Sequence, residues 1–184
     1  CGSSPGSDLV FSEKAALLGQ AIAQRGCGIV YGGAHVGLMG AVANGALSEG
    51  GEVIGIIPEF LKKKELEHNH LTQIHIVDTM HERKALMCEM SDGVIALPGG
   101  YGTMDELFEM LTWAQLSLHR KPIGILNIDG FYDPLIALSE RMIEKQFVKD
   151  EYRNIWIIEE DIDILLDKMS TYVAPVNDKW FVTQ

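Results

Sequence analysis

The segment 98–106, with the sequence PGGYGTMDE, holds the residue types and spacing best suited to chemistry in this chain. An apolar run at 94–97 precedes it and predicts a buried strand, and Thr103 opens a helical pattern. Glycines between a strand and a helix let backbone N–H groups surround an anion, and the helix dipole adds positive charge there. Glu106 follows within the first helical turn. The segment therefore predicts a phosphate site with an acid beside it. Its candidate substrate-binding residues are Pro98, Gly99, Gly100, Tyr101, Gly102 and Thr103.

A purely structural interpretation of Thr103 and Glu106 is also open. Their spacing fits the T-x-x-E capping box, in which the Thr hydroxyl caps the helix and the Glu reaches back to the cap amide. A bare cap does not require three glycines at 99, 100 and 102. The glycines therefore favour the ligand interpretation, and spacing alone does not decide.

A second candidate lies one strand earlier, in the segment 79–84 with the sequence TMHERK. It follows a predicted strand at 74–77 and begins a helix at 80–90, and Thr79 and Glu82 fit another capping box. Arg83 lies near the end of the first turn, and an Arg fork suits phosphate or purine recognition. An isolated Arg is usually solvated. Here Arg83 and Glu106 occupy corresponding places on successive strand–helix units, so we expect both at the carboxyl edge of one sheet.

A third glycine-rich turn, 31–40, lies between a predicted strand and a helix at about 39–48. Gly33 in this turn is expected to shape the ligand pocket, although close helix–strand packing alone would also explain the glycines. The turn lacks the G-x-G-x-x-G pattern, and the chain has no P-loop motif, which weakens both nucleotide-cofactor interpretations.

Five of the six histidines divide into two groups. His35 and His81 are expected near the pocket. The segment 58–70 is predicted to be polar and irregular. His68, His70 and the nearby His75 have no matching Cys or carboxylate pattern, so we expect solvent-exposed side chains and no metal site.

Apolar strand-like runs alternate with helical patterns along the whole chain, which predicts a doubly wound, Rossmann-like α/β fold. In it a parallel sheet is covered by helices on both faces, and ligands bind at the carboxyl ends of the strands. No linker or repeat is visible, so residues 1–184 are expected to form a single domain. The first strand is expected to lie largely before Cys1.

The composition excludes several classes of partner. The chain has 184 residues, 47% of them apolar, and a formal net charge of −11. An acidic protein is not steered toward nucleic acid or an anionic membrane. No run approaches the ~18 apolar residues that span a bilayer. Three cysteines without metal-like spacing are typical of a reducing cytosol, so a cytoplasmic location is expected.

The two site motifs together resemble the Lonely Guy (LOG) family, whose members are cytokinin riboside 5′-monophosphate phosphoribohydrolases. Bacterial members often carry the label "possible lysine decarboxylase". The resemblance extends over most of the chain, to about Pro134. The shared segments are 1–4 (CGSS), 31–33 (YGG), 80–84 (MHERK), 98–106 (PGGYGTMDE), 111–116 (LTWAQL) and 121–122 (KP).

The resemblance implies hydrolysis of the N-glycosidic bond of an adenine-type nucleoside 5′-monophosphate, without a cofactor. Arg83 and Glu106 match the family's catalytic residues, and Gly99, Gly100, Gly102 and Thr103 match its phosphate loop. Ser4 and Gly33 match further nucleotide contacts, and Met80, His81 and Lys84 flank Arg83 within the same motif. The resemblance also implies a homodimer, and the helical segment 104–116, apolar nearly all round, is consistent with a dimer contact.

Two rival functions stay open. A pyridoxal-phosphate decarboxylase needs a Schiff-base lysine, and only Lys84 is placed for that role. A non-catalytic nucleotide or cofactor carrier, or a ligand sensor, would use the same phosphate cradle without cleaving its ligand. Whether the preferred base carries an N6-prenyl group is not determined by these residues.

Overall fold

The computed structural model describes residues 2–62, 68 and 70–175, and it divides into two compact units. Unit 1 contains residues up to Asp92 together with Leu97–Thr103, and unit 2 contains Gly93–Ala96 and the chain from Met104 onward. Each unit holds a parallel sheet of three strands with its own helices. The predicted parallel α/β class is therefore confirmed.

Unit 1 alternates strands and helices. Its elements are α1 (Leu9–Gln24), β1 (Ile29–Tyr31), α2 (Gly37–Ser48), β2 (Val53–Pro58), α3 (Glu59–Lys62), β3 (Gln73–Val77) and α4 (Met80–Met90). The sheet order is β1-β2-β3, with Tyr31 opposite Gly55 and Gly55 opposite Ile74. The central strand β2 is nearly all apolar, and Ile56 and Ile57 are fully buried. Such continuous apolar strands are typical of parallel sheets whose two faces are both covered.

Helices α1 and α2 pack closely because each presents a glycine to the other. A Cβ at Gly19 would overlap the carbonyl oxygen of Val42, and one at Gly45 would overlap that of Ala16. Backbone therefore lies directly against backbone, which any side chain at these two positions would prevent.

Unit 2 repeats the alternation. Its elements are β4 (Val94–Ala96), α5 (Tyr101–Gln115), β5 (Ile123–Leu126), α6 (Asp133–Glu144), β6 (Ile157–Glu159) and α7 (Ile162–Ser170), and the first turn of α5 belongs to unit 1. The sheet order is β4-β5-β6, with Val94 opposite Ile123 and Gly124 opposite Ile157. All four residues of β5 are buried.

The structure corrects three of the sequence expectations for element bounds. Helix α2 begins at Gly37 rather than at about 39, and the segment 58–70, expected to be irregular, contributes the end of β2 and the short helix α3. Helix α5 begins at Tyr101 rather than at Thr103. Glycine has low intrinsic helix propensity, so the pattern underestimates a helix whose first turn contains it.

Among the described residues, none of the helices has both the length and the hydropathy needed to cross a bilayer.

Candidate functional site

A capping box opens α4 just ahead of Arg83. The Thr79 hydroxyl oxygen accepts a hydrogen bond from the amide of Glu82 at 3.1 Å. The Glu82 carboxylate in turn accepts from the amides of Thr79 at 3.3 Å and Asp78 at 2.8 Å. The predicted capping box is confirmed, and it fixes where the helix begins. Arg83, on the inner face of this first turn, is only 4% exposed.

The Arg83 guanidinium is held by two backbone carbonyls. Its Nε donates to the oxygen of Ile56 at 3.0 Å, in the carboxyl half of β2. Its Nη2 donates to the oxygen of Gly32 at 2.8 Å, directly after β1. Nη1 lies 3.8 Å from the sulfur of Met80. Arg83 therefore lies at the carboxyl edge of the unit 1 sheet. The expectation that Arg83 and Glu106 share the edge of one sheet is wrong, because β4, the strand before Glu106, belongs to the other three-stranded sheet.

The turn at Gly32 and Gly33 fits closely against this guanidinium. A Cβ at Gly32 would overlap Arg83 Nη2, so only glycine allows the guanidinium this close to the backbone. Gly33 has a φ of +82°, and its carbonyl oxygen accepts from the amide of His68 at 3.1 Å. The turn is thus bonded through two successive carbonyls.

The residues Thr103 and Glu106 after the glycine loop do not form the capping box that their spacing allows. Thr103 is the third residue of α5, so it is not the residue that caps the helix. Its hydroxyl is buried and has no hydrogen-bond partner among the described residues. The capping-box alternative for Thr103 and Glu106 is therefore wrong, because the glycines at 99 and 100 let the helix start two residues earlier.

The surroundings of this hydroxyl are suited to an anion. A Cβ at Gly99 would overlap Thr103 Oγ1, and one at Gly2 would lie 4.0 Å from it. A Cβ at Gly100 or Gly102 would meet nothing within 4 Å, so the outer side of the loop is open. The first N–H groups of a helix have no partner within it, and a buried hydroxyl without a partner is costly. An anion in the loop would accept from both.

The amino-terminal segment lies against the start of α2. The carbonyl oxygens of Gly2 and Ser4 accept from the amides of Met39 at 3.3 Å and Leu38 at 3.4 Å. Ser4 is exposed, and its hydroxyl oxygen accepts from the amide of Gly6 at 3.3 Å. These bonds occupy amides of the first turn of α2.

The remaining candidate residues differ in exposure. Among them, Pro98 is buried, Met80, Lys84 and Gly99 are half-buried, and His35, His81, Gly100, Tyr101 and Gly102 are exposed. Glu106 is half-buried and lies one helical turn beyond Thr103 on α5. Within unit 1 the structure brings together two groups: Arg83 with Gly32 and Met80, and Thr103 with Gly99 and Gly2.

The expectation that His68 is solvent-exposed is wrong. Its side chain is buried, Nε2 lies 3.0 Å from Asn44 Oδ1, and Nδ1 accepts from the amide of His70 at 3.2 Å. Burial lowers the pKa of His68, and the nearby His70 and His35 lower it further. Because Nδ1 accepts from the His70 amide, Nε2 is the ring nitrogen that carries the proton toward Asn44 Oδ1.

The other two histidines of this segment differ from each other. His70 is exposed, as expected, whereas His75 is half-buried and its Nε2 has no partner among the described residues. Among all described residues, no group of three His, Cys, Asp or Glu side chains is arranged to hold a metal ion.

Sequence reasoning missed Gly2, the carbonyls of Gly32 and Ile56, and the buried ring of His68. The glycine pair after β1 was a visible signal for close backbone approach. No side-chain pattern marks a backbone carbonyl as a partner, and His68 resembles its exposed neighbours in the sequence.

This chain was compared with protein families and with proteins of known function. Residues 39–169 match the family described as "Possible lysine decarboxylase". A protein of Oryza sativa subsp. japonica, named probable cytokinin riboside 5′-monophosphate phosphoribohydrolase LOGL1, is 48% identical over 94% of this chain and 77% of its own length. In the same organism, cytokinin riboside 5′-monophosphate phosphoribohydrolase LOG is 42% identical over 94% of this chain and 72% of its own length. Arabidopsis thaliana LOG5, of the same name, is 43% identical over 97% and 78%.

Solved structures support the fold at lower sequence identity. The molybdenum cofactor binding protein of Rippkaea orientalis aligns with a TM-score of 0.68 at 23% identity, over 90% of each chain. The molybdenum cofactor carrier protein of Chlamydomonas reinhardtii aligns with a TM-score of 0.64 at 18% identity, over 88% of this chain and 89% of its own. At these identities the likeness concerns the fold alone.

Proposed function

Because this chain belongs to the Lonely Guy (LOG) family, we propose that it hydrolyses the N-glycosidic bond of adenine-type nucleoside 5′-monophosphates. Water adds its oxygen to the anomeric carbon of the ribose, and the base leaves with a proton. The products are the free base and ribose 5-phosphate. The relatives at 42–48% identity carry this activity in their names, and the chain covers more than 70% of each of them.

The buried hydroxyl of Thr103, which finds no hydrogen-bond partner in residues 2–62, 68 and 70–175, is the observation that carries the proposal. In this proposal the 5′-phosphate accepts from the Thr103 hydroxyl and from the amides around Gly99, Gly100 and Gly102. The phosphate is remote from the bond that breaks, so its binding energy is available to align the ribose. Because neutral dipoles hold the phosphate, the formal net charge of −11 is no obstacle.

Glu106 and Arg83 are the proposed catalytic residues. The ribose acquires oxocarbenium-like positive charge as the base departs, and a carboxylate stabilises that charge electrostatically. We assign this role to Glu106, which also holds ribose hydroxyls or orients the attacking water. Arg83 positions the nucleotide and supports departure of the base. Its two carbonyl bonds fix the guanidinium in advance, which favours catalysis because no reorganisation is then needed.

The remaining candidate contacts complete the proposed substrate site. They are Ser4, Gly33, Met80, His81, Lys84, Pro98 and Tyr101, with the glycines and Thr103 of the phosphate loop. The reaction as proposed needs no cofactor, because water is its only second reactant.

A homodimer and a cytoplasmic location are also proposed. Phe108 on α5 and Leu116 directly after its last residue are 38% and 39% exposed, and a partner copy would cover this apolar surface. Light scattering during size exclusion gives the mass directly, and a monomer at micromolar concentration would contradict the dimer.

A chromatographic assay of base release tests the function. Wild-type protein is incubated with AMP and its N6-prenylated analogue, and Glu106→Gln serves as the inactive control. We expect free base and ribose 5-phosphate from at least one substrate, and none from the variant at equal protein concentration. Tight nucleotide binding without base release by the wild type would contradict the proposal and favour a carrier or sensor.

A further inference from the structure

The Gly32–Gly33 turn is bonded on both sides. On one side the carbonyl oxygen of Gly32 accepts from the Arg83 guanidinium at 2.8 Å. On the other side the carbonyl oxygen of Gly33 accepts from the amide of His68 at 3.1 Å. Because glycine is the most flexible residue, two in succession need such external bonds to hold one conformation. A shift of this turn would move the carbonyl that holds Arg83.

The His68 ring fixes the residue whose amide supports the turn. Its Nε2 lies 3.0 Å from Asn44 Oδ1, and Asn44 belongs to α2. Its Nδ1 accepts from the amide of His70 at 3.2 Å, so both ring nitrogens are occupied. The His68 ring is 6% exposed and its bond to the exposed Asn44 is partly buried, so losing the bond would leave a buried ring nitrogen without this partner, which is costly. The ring therefore ties the turn to the rigid helix α2.

The geometry points to His68 as a positioning residue for Arg83, acting through the Gly32–Gly33 turn. The inference rests on the proposed function, in which Arg83 supports departure of the base. His68 touches neither the guanidinium nor the phosphate loop in the described contacts. Its loss should therefore lower turnover more than substrate affinity, because the phosphate anchor at Thr103 stays intact.

Steady-state kinetics on the full chain separate these effects. We expect His68→Ala to lower kcat by roughly tenfold to a hundredfold, since a misplacement of about 1 Å near a reacting group has effects of this size. KM is expected to stay within about threefold, because phosphate binding supplies uniform binding energy. His68→Gln keeps an N–H that reaches Asn44 and is expected to restore most of kcat. His70→Ala is the matched control in the same segment and is expected to behave as wild type.

Asn44 provides an independent second variant, because it lies on the other side of the bond. Asn44→Ala should lower kcat in the same direction, and the double variant should lose no more than the larger single loss, since coupled residues are not additive. Wild-type kcat in both single variants would overturn the inference even if one of them unfolded more easily.

NMR of the Arg83 Nε–H group tests the positioning role of His68 without an activity assay. In the wild type this proton is bonded to Ile56 and should exchange slowly with water. We expect His68→Ala and Asn44→Ala to shift its signal and accelerate its exchange, and His68→Gln to reverse both changes. An unchanged Arg83 signal would overturn the inference. If the wild type releases no base from any nucleotide, the proposed function fails and this spectroscopic result still decides the positioning role.

Discussion

Two turns of this protein share the spacing T-x-x-E, and the fold uses them in opposite ways. At the start of α4, Thr79 accepts from the Glu82 amide and Glu82 accepts from the Thr79 amide, so the polar groups satisfy one another. At the start of α5, the buried Thr103 hydroxyl has no hydrogen-bond partner in the part of the chain that the structure describes, because the helix begins two residues before it. When the Thr and Glu of this motif bond to the helix start, they stabilise the helix. When the Thr hydroxyl is not used in this way, it is available to a ligand.

The difference follows from where glycine stands. The first turn has none between β3 and α4, so Thr79 adopts the extended backbone of a cap, with φ −129° and ψ 161°. The second has Gly99, Gly100 and Gly102, which shift the helix start and leave open space around the loop. Each turn then sets up one candidate catalytic residue: Arg83 after the closed turn and Glu106 after the open one.

Replacing Glu106 or Glu82 with alanine should give the largest difference in base release between the two turns. We expect Glu106→Ala to lower base release by about a thousandfold, the scale of losing one preorganised group that stabilises developing charge. Glu82→Ala should leave base release within about twofold and lower the free energy of unfolding by about 1 kcal/mol, because only the capping box is lost. Turnover and urea unfolding of both variants give the measurement. Equal losses of turnover in the two variants would contradict the distinction between them.

Valine at the two threonines sharpens the same comparison, since it replaces the hydroxyl with a methyl group of similar size. Thr103→Val should raise the Kd for ribose 5-phosphate by roughly tenfold to a hundredfold, because a hydrogen bond to a charged group contributes about 1.5–3 kcal/mol. Its free energy of unfolding should not fall, since no bond is lost from the unliganded protein. Thr79→Val should show the reverse, with unchanged Kd and a loss of about 1 kcal/mol of stability. Calorimetric binding and urea unfolding test both. A destabilised Thr103→Val would show that its hydroxyl has a partner after all.

The smallest effect concerns His119, which lies shortly after the end of α5. Among the described residues, both of its ring nitrogens have hydrogen-bond partners, in contrast to the Thr103 hydroxyl in the first turn of this helix. Nε2 of His119 lies 2.9 Å from the carbonyl oxygen of Met110, and its Nδ1 accepts from the amide of Lys121 at 3.2 Å. Burial lowers the pKa of His119, so the folded state binds a proton less readily than the unfolded chain. Its contribution to stability is full above the unfolded pKa of about 6.5 and is lost as the pH falls below it toward the folded pKa.

Urea unfolding at pH 7.5 and pH 5 measures this effect. The part due to His119 should stay below about 1 kcal/mol because the ring is half-exposed and screened by solvent. His119→Gln should make the acid-side decline less steep, and the decline that remains includes His68, whose pKa is also lowered. An equally steep decline in the variant would contradict the role of this ring.

Apolar periodicity and capping motifs in the sequence were sufficient to predict much of the secondary structure. The bounds of α4 agree with the helix predicted at 80–90 and with its capping box. Strands β3 and β4 agree with the runs predicted at 74–77 and 94–97 to within one residue, because such apolar runs are typical of strands in parallel sheets. The close packing of α1 on α2 at Gly19 and Gly45 was not predicted, since it depends on two helices meeting at one point.

The α/β alternation, the family and the residue types that follow each strand can be read from the amino-acid sequence, because they depend on periodicity and short motifs. How those residues are used depends on the folded chain. It closed the Thr79 hydroxyl and left the Thr103 hydroxyl open, placed Arg83 between two backbone carbonyls, and buried His68 against Asn44. The physical reason is that the partners of these groups are backbone atoms or side chains distant in the chain, and folding alone brings them within hydrogen-bond distance.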